Sequence, residues 1–310
     1  MNRDSKPVIF IMGTTASGKS DWALRLAQKF QGVIVNCDSV QLYKKLDIGA
    51  AKPTLAERAL VPHYLLDYIE APREMTAGQY RRDFDECLES LPTGKPIFVV
   101  GGTGFYFMAI EKGMYPVTSV SEELKQQVEA EVQVPGGAAR LLQELQTVDP
   151  EYAAKLHLAD HYRLGRAIEL IRSQGKSVTQ IQKEFSEQQK DFAFPLLKIG
   201  PNWSREALRE RIALRSQKML EQGLVAEVQS LLDEGLGEWG PLRSVGYRET
   251  IQCLRGEFPQ EQLLAEINQG TAQLAKKQRT WFQKDAEIFW SDGADGYMEA
   301  EMRVEKFLIA

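Results

Sequence analysis

An α/β fold, a parallel sheet flanked by helices, is predicted by three observations. Over roughly the first hundred residues, short β-rich apolar runs alternate with helical stretches. Each run ends in residues capable of chemistry, and the first is followed at once by a glycine-rich loop that opens a helix. Composition sets the frame. The 310 residues, 43% hydrophobic and 26% charged, suffice for one large domain or two modest ones and exclude a disordered, collagenous or disulfide-stapled chain. The three cysteines, Cys37, Cys87 and Cys253, are far apart and form no C-x-x-C pair, so reduced thiols are expected in place of a disulfide framework or zinc site. The first apolar stretch, 8–12, is too short for a signal-peptide core, and no apolar run approaches the ~20 residues of a bilayer span. A cytoplasmic chain with no membrane partner is expected.

Strands are expected at 8–12, 33–37 and 97–100. Parallel strands present their carboxyl ends on one edge, and open α/β sheets bind ligands there. The glycine loop after the first strand, Asp38-Ser39 after the second and Gly101-Gly102-Thr103-Gly104 after the third therefore converge. From Pro116 to about Lys190 the chain turns rich in Gln, Glu and Ala with helical periodicity, interrupted at Pro135-Gly136-Gly137 and Asp149-Pro150. A fourth apolar run, 192–199, resumes the sheet pattern. The division expected is a core domain of 1–115 with 191–310, split around a helical insertion domain of 116–190. After Pro201 the chain reads as largely helical, with Leu208, Ile212, Met219 and then Leu224, Val228, Leu231 spaced as core stripes.

Gly13, Thr14, Thr15, Ala16, Ser17, Gly18, Lys19 and Ser20 fit G-x-x-x-x-G-K-[ST] between a strand and a helix. Gly13 and Gly18 let the backbone turn its N–H groups inward, the helix N-terminus adds partial positive charge, and Lys19 supplies a mobile cation. Together they cradle a diphosphate, which makes a P-loop NTPase-like sheet the expected fold. Ser20 is placed to put a hydroxyl on Mg2+ bridging phosphate oxygens. A nucleotide motor would ordinarily add a strand ending in Asp, whereas 97–100 runs into Gly-Gly-Thr-Gly. A diphosphate leaving group suits the loop as well as a transferred phosphoryl group does. Asp38, at the same edge, can take a proton, hold a metal-bound water or accept a ribose hydroxyl. Thr103 can donate to a phosphate oxygen or a reacting centre.

Net charge is −5, from 38 basic and 43 acidic residues, so the chain as a whole does not announce nucleic acid. Local segments do. Tyr162, Arg163, Leu164, Gly165 and Arg166 open a helix whose Leu164, Ala167, Ile168 and Ile171 form an apolar face, leaving the two arginines on its polar flank. Arg243, Ser244, Val245, Gly246, Tyr247 and Arg248 set arginines around a glycine and an aromatic. Lys276, Lys277, Gln278, Arg279, Thr280, Trp281 and Phe282 interleave basic and aromatic groups, as backbone tracking and base stacking require. Each stretch taken singly reads as a solvated helix face, and the three together suggest an RNA-facing cleft. Among Arg205, Arg209, Arg211 and Arg215, the last two share a helix face at i and i+4, and one of them would neutralise a departing diphosphate if that helix closes over the loop.

Taken together the residues resemble the tRNA dimethylallyltransferases, or tRNA isopentenyltransferases, of bacterial type. The resemblance runs through the phosphate loop, Asp38-Ser39, Asp47-Ile48-Gly49 with Ala51-Lys52-Pro53, and Pro62-His63-Tyr64-Leu65-Leu66-Asp67. It continues through the glycine turn with Tyr106, Val148-Asp149-Pro150, Arg243 to Arg248 and Gln273-Leu274-Ala275-Lys276-Lys277-Gln278. It implies transfer of a dimethylallyl group from dimethylallyl diphosphate to the N6 amine of the adenosine just 3′ of the anticodon of certain tRNAs, releasing diphosphate. It also implies a cytoplasmic monomer using Mg2+. Carried over residue by residue, Asp38 is the general base, Thr103 helps hold the reaction centre, and residues 13–20 bind the donor diphosphate with Mg2+ on Ser20. Arg215 is the leaving-group arginine, with Arg211 its competitor. Asp38, Ser39, Val40, Gln41, Thr103, residues 162–166, 243–248 and 276–282, and Gln283 fall on the family's tRNA-contacting stretches. Thr14, Val40 and Gln283 depart from the residues the family often has. Three other readings remain open at this stage: an ATP-consuming small-molecule phosphotransferase, prenylation of a free nucleotide, and a non-catalytic RNA-binding protein. The helical insertion and the basic C-terminal segments favour a large acceptor.

Overall fold

The structure is a computed structural model and describes residues 6–114, 120–188, 192–293 and 295–309. The chain forms two compact units, Met1–Glu111 with Phe192–Ala310, and Lys112–Asp191. The boundaries expected at Pro116 and Lys190 lie outside the described residues.

The first unit opens with β1 (Val8–Met12), α1 (Lys19–Lys29), β2 (Val33–Asn36), α2 (Leu55–Leu60), β3 (His63–Tyr64), α3 (Ala77–Ser90), β4 (Ile97–Gly101) and α4 (Gly104–Lys112). The second holds α5 (Glu122–Gln133), α6 (Gly137–Val148), α7 (Pro150–Ala153), α8 (His161–Gln174) and α9 (Val178–Gln188). The first then resumes with β5 (Leu196–Asn202), α10 (Arg205–Glu221), α11 (Leu224–Asp233), α12 (Tyr247–Leu254), α13 (Leu263–Phe282), β6 (Phe289–Asp292) and α14 (Gly296–Ile309).

The strands pair in parallel in the order β3-β2-β4-β1-β5-β6. The expected P-loop NTPase-like architecture is found, with β1 central: Val8 lies opposite Ile97 on one side and Leu196 on the other. Every residue of β1, β2 and β4 is buried, which is why these runs read as continuously apolar and not as alternating. Alternation assigns the faces. Ile9, Ile11, Ile34, Phe98, Val100 and Ile199 pack with Trp22 and Leu26 of α1 and Tyr297, Ala300 and Val304 of α14. Phe10 turns the other way, to Phe107 of α4 at 5.0 Å, and Phe107 meets Phe282 of α13 at 6.2 Å. Lys198, buried on β5, is offset by Glu111, Asp285 and Glu287 at 2.8, 2.9 and 2.8 Å.

Three strand expectations need correction. The fourth apolar run becomes a strand only from Leu196 and continues through Pro201 to Asn202. Pairing with β1 ends at Ile11 and Ile199, so the N–H that Pro201 lacks is not needed on that side. Neither β3 nor β6 was anticipated, and β6 falls in a stretch read as helical. Both lie at the edges of the sheet, where two to four residues need only one partner.

In the second unit the expected breaks hold. Pro135-Gly136 separates α5 from α6, with Gly137 the first residue of α6, and Asp149 opens α7, accepting from the amide of Tyr152 at 3.1 Å and from the amide and hydroxyl of Thr179 at 2.8 and 2.7 Å. Its core gathers Val128, Leu141, Leu145, Leu164 and Ile168, with Arg172 forked between Glu131 and Glu144.

At the carboxyl edge β4 and β2 come so close that a β-carbon on Gly101 would collide with the Cys37 carbonyl. That approach brings the glycine turn against the start of the Asp38 turn. Gly101→Ala must separate the two strands and is expected to destabilise the chain by roughly 3 kcal/mol, as overpacking against backbone does. It should be read as a lowered urea midpoint with unchanged slope.

Candidate active site at the carboxyl edge of the sheet

The phosphate loop leaves β1 at Met12 and enters α1 at Lys19, with Gly18 at the helix N-cap at φ 91°, a conformation in which a β-carbon is disfavoured. Its outward carbonyls are engaged. Ala16 O accepts from Arg211 Nε at 2.8 Å, Ser17 O from Trp203 Nε1 at 2.8 Å, and Thr14 O from Lys19 Nζ at 3.1 Å. Trp203 directly follows β5, so a fourth strand end joins the three expected ones. The Arg211 guanidinium lies 4.4 Å from the centre of its ring, and the Trp203 carbonyl accepts from Arg279 at 2.5 Å. A peptide's N–H and C=O point in opposite directions, so holding these carbonyls from behind presents the loop amides to an anion.

Two cations and one carboxylate meet at the loop. Lys19 is pulled down to about 8, chiefly by burial; Asp38 opposes the shift and Arg215 adds to it. Arg215 donates to the Thr15 hydroxyl and is likewise lowered by burial against the pull of Asp38. Arg211, its competitor, also reaches the loop, but on the side of Ala16, Gly18 and Trp203. Arg215 is therefore the arginine that shares its field with Asp38 and Lys19. Ser17 Oγ, fully buried in the loop, has no hydrogen-bond partner among the described residues. Ser20 is exposed in the first turn of α1. Among the described residues no three His, Cys, Asp or Glu side chains gather as a metal site. A divalent cation here would rest on the Ser20 hydroxyl and on oxygens brought by the ligand, a hard-oxygen donor set.

Asp38 sits in a turn fixed at both ends. Its amide donates to Asn36 Oδ1 and its carbonyl accepts from Asn36 Nδ2, both at 3.2 Å. Its Oδ1 accepts from the Val40 amide at 2.9 Å, while Oδ2 takes no hydrogen bond among the described residues. Thr103 Oγ1 accepts from the Ser39 amide at 3.0 Å and donates to Ser39 Oγ at 3.2 Å, so Thr103 pins this turn. A cavity of about 240 Å³ adjoins it, lined among others by Ser39, Val40, Tyr43, Tyr106 and Ser244. Tyr106 is backed by Tyr80, stacked at 4.1 Å.

The 47–53 segment is bound to its own neighbours. Glu227 accepts from the amides of Asp47, Ile48 and Gly49 at 3.2, 2.7 and 3.1 Å, and from the Tyr247 hydroxyl at 2.7 Å. Gln41 Nε2 donates to the carbonyls of Ala50 and Ala51 at 3.0 and 3.1 Å.

Several residues expected to touch RNA are spent inside the protein. Tyr247 is fully buried under Gly49, whose missing side chain makes room for its ring; Phe282 and Leu164 belong to the cores of their units. These three side chains are withdrawn from the expected contact set. Gly165 is buried against Val128 and Val132, and Gly246 caps α12. Gln278 accepts from the Thr15 amide at 2.8 Å and donates to Gly102 O at 3.0 Å, and Arg279 serves Trp203. Lys276, Lys277, Thr280, Trp281, Gln283, Arg243 and Arg248 are exposed, Arg248 with its guanidinium on Glu249. In the second unit Tyr162 is 84% exposed, and Arg163 and Arg166 pair with Asp160 and Glu169 at 3.4 and 2.6 Å. Sequence reasoning missed Trp203, Asn36 and Glu227; their partners lie in loops distant in sequence or in a turn whose geometry no motif marks.

The IPP transferase family profile matches residues 41–285. A protein of Bdellovibrio bacteriovorus named tRNA dimethylallyltransferase is 66% identical, over 97% of this chain and 98% of its own. A protein of Citrifermentans bemidjiense named tRNA dimethylallyltransferase 1 is 40% identical over 97% of each. Among solved structures, a tRNA isopentenylpyrophosphate transferase of Bacillus halodurans aligns with a TM-score of 0.71 at 28% identity, covering 98% of this chain and 97% of that one. A eukaryotic dimethylallyltransferase acting on tRNA aligns with a TM-score of 0.82 at 26% identity, covering 98% of this chain and 80% of that one. No helix among the described residues is long and apolar enough to cross a membrane. The profile begins after the phosphate loop and Asp38, and the near-full-length relatives extend the match across both. A profile match over most of the sequence, with such identity along nearly all of it, leaves one assignment: the chain belongs to the IPP transferase family.

Proposed function

We propose that this chain transfers the dimethylallyl group of dimethylallyl diphosphate to the N6 amine of the adenosine 3′-adjacent to the anticodon of certain tRNAs, releasing diphosphate. The observation that carries this reading is the meeting of a phosphate loop flanked by Lys19 and Arg215 with Asp38, one of whose carboxylate oxygens is fixed while the other takes no hydrogen bond among the described residues. The names of the relatives supply the donor and the acceptor class.

The chemistry follows from those groups. As the allylic C–O bond stretches, carbon becomes electrophilic and charge gathers on the diphosphate, where the loop amides, Lys19 and Arg215 stabilise it. The adenine amine attacks that carbon. An N–C bond forms as the C–O bond breaks, the amine proton passes to the Asp38 carboxylate, and diphosphate leaves on the loop. No covalent enzyme intermediate is required, so catalysis consists of orientation and stabilisation of the leaving anion. Thr103 acts by holding the Asp38 turn. The Ser20 hydroxyl would hold Mg2+, which when bound would neutralise part of the anion's charge.

A stacked base must be turned out of its loop to reach such a site, at a cost of a few kcal/mol that stacking and phosphate contacts offset. The exposed Arg243, Arg248, Lys276, Lys277 and Trp281 of the first unit, and Tyr162, Arg163 and Arg166 of the helical unit, are the surfaces assigned to tRNA. We assign residues 116–190 to an insertion domain serving this large acceptor, in a monomer working in the cytoplasm, where its tRNA is. The test is incubation of unmodified tRNA with the protein, Mg2+ and dimethylallyl diphosphate without ATP, followed by mass spectrometry of the nucleosides. Dimethylallyl adenosine beside the anticodon is expected. Product on free adenosine nucleotide alone would overturn the acceptor, and an ATP requirement would overturn the reaction.

Asp38→Ala is expected to lower turnover by about 10² to 10⁴-fold while tRNA affinity stays within about twofold; weakened tRNA binding with normal turnover would remove the base from this position. Because Lys19 loses its charge above about 8, affinity for inorganic diphosphate should fall from pH 7 to pH 9, and binding at the upper end should take up a proton as the anion restores the ammonium. Calorimetry in buffers of different ionisation enthalpy reads both effects, and Lys19→Gln should lack this pH step.

A further inference from the structure

We infer that Gln278 is a positioning residue that fixes the donor half of the site against the acceptor half, an inference that rests on the transfer reaction above. The helix phase of α13 turns Ala275, Gln278 and Phe282 to the inside, Ala275 and Phe282 both buried, while Lys276, Lys277 and Thr280 face out. Gln278 Oε1 accepts from the Thr15 amide at 2.8 Å and its Nε2 donates to Gly102 O at 3.0 Å. The fit is close: a β-carbon on Gly102 would collide with Gln278 Nε2 and would lie 3.5 Å from the Gly13 carbonyl.

The two ends of this bridge lead to the two sides of the reaction. Thr15 carries the hydroxyl that Arg215 holds, on the side of the leaving group. Gly102 precedes Thr103, which pins the Asp38-Ser39 turn on the side of the base. Both loops must be tied at once, one by an acceptor and the other by a donor. A carboxamide supplies both from a single planar group. Glutamate keeps the first bond and sets an anion against the Gly102 carbonyl; leucine makes neither. The polarity of the site thus calls for glutamine, and a contact with RNA does not account for it.

The experiment compares Gln278→Glu, Gln278→Leu and the wild-type protein in kcat, in tRNA affinity by filter binding, in inorganic diphosphate affinity by calorimetry, and in unfolding midpoint. A net hydrogen bond is worth about 1 kcal/mol, or about fivefold. Gln278→Glu should lower kcat at least fivefold and Gln278→Leu more than tenfold, and Gln278→Leu should also weaken diphosphate binding about fivefold. Affinity for tRNA should stay within twofold in both. A double-mutant cycle supplies the coupling: Gly102→Ala alone should be impaired, and Gly102→Ala with Gln278→Ala should be no worse than Gln278→Ala alone, because the colliding group is gone. Unchanged kcat in Gln278→Glu, whether or not tRNA binding weakens, or an additive cycle, overturns the inference. Wild-type protein that binds diphosphate but makes no dimethylallyl adenosine refutes the proposed reaction. In that case, unchanged diphosphate affinity in Gln278→Leu would sink the bridge as well.

Discussion

The carbonyls of Ala16 and Ser17, held from behind by Arg211 and Trp203, are the constraint on which the rest of the site depends. A loop that offers several amides to an anion has its own dipoles crowded on one side and needs attachment on the other. Here that attachment comes from Trp203 after β5 and from Arg211 of α10, with Arg279 of α13 holding Trp203 in turn. The C-terminal helices are thus as much a part of the proposed donor site as the glycine loop. Losing the tryptophan would loosen a motif that is intact in the sequence.

Electrostatics follow from the same packing. Lys19 and Arg215 are both disfavoured by burial, and each is supported by Asp38. In the proposed reaction an entering diphosphate would meet positive charge whose desolvation has already been met in folding, and little would have to reorganise as the leaving group develops its charge. Asp38 supports both cations, and its Oδ2 takes no hydrogen bond among the described residues.

What was readable in the sequence was local. The strand, loop and helix of residues 8–29 need only neighbours in the chain, and the expected bounds of β1 match the structure. Asp38 and the glycine turn were found because parallel strands share a carboxyl edge. Apolar residues ahead of Pro195 make the run look longer at its start than the strand Leu196–Asn202 is, and Pro201 hides the strand's end. The basic stretches were found, but not which of their residues face out. Trp281 and Phe282 are adjacent in sequence and about 100° apart on a helix, so one is exposed and the other lies in the core. Tyr247 reads as an aromatic ready to stack on a base until Gly49, some two hundred positions away, is seen to make room for its ring.

The register of β5 on β1 also constrains synthesis. The strand that carries the phosphate loop has β4 on one side within the first 101 residues, but its other neighbour begins at Leu196, after the whole helical unit. A chain emerging from the ribosome therefore holds its central strand half-paired, with one edge open, through the translation of α5 to α9. Those helices pack around a core of their own and can form meanwhile. The proposed donor site is closed late, when Trp203, Arg211 and finally Gln278 arrive.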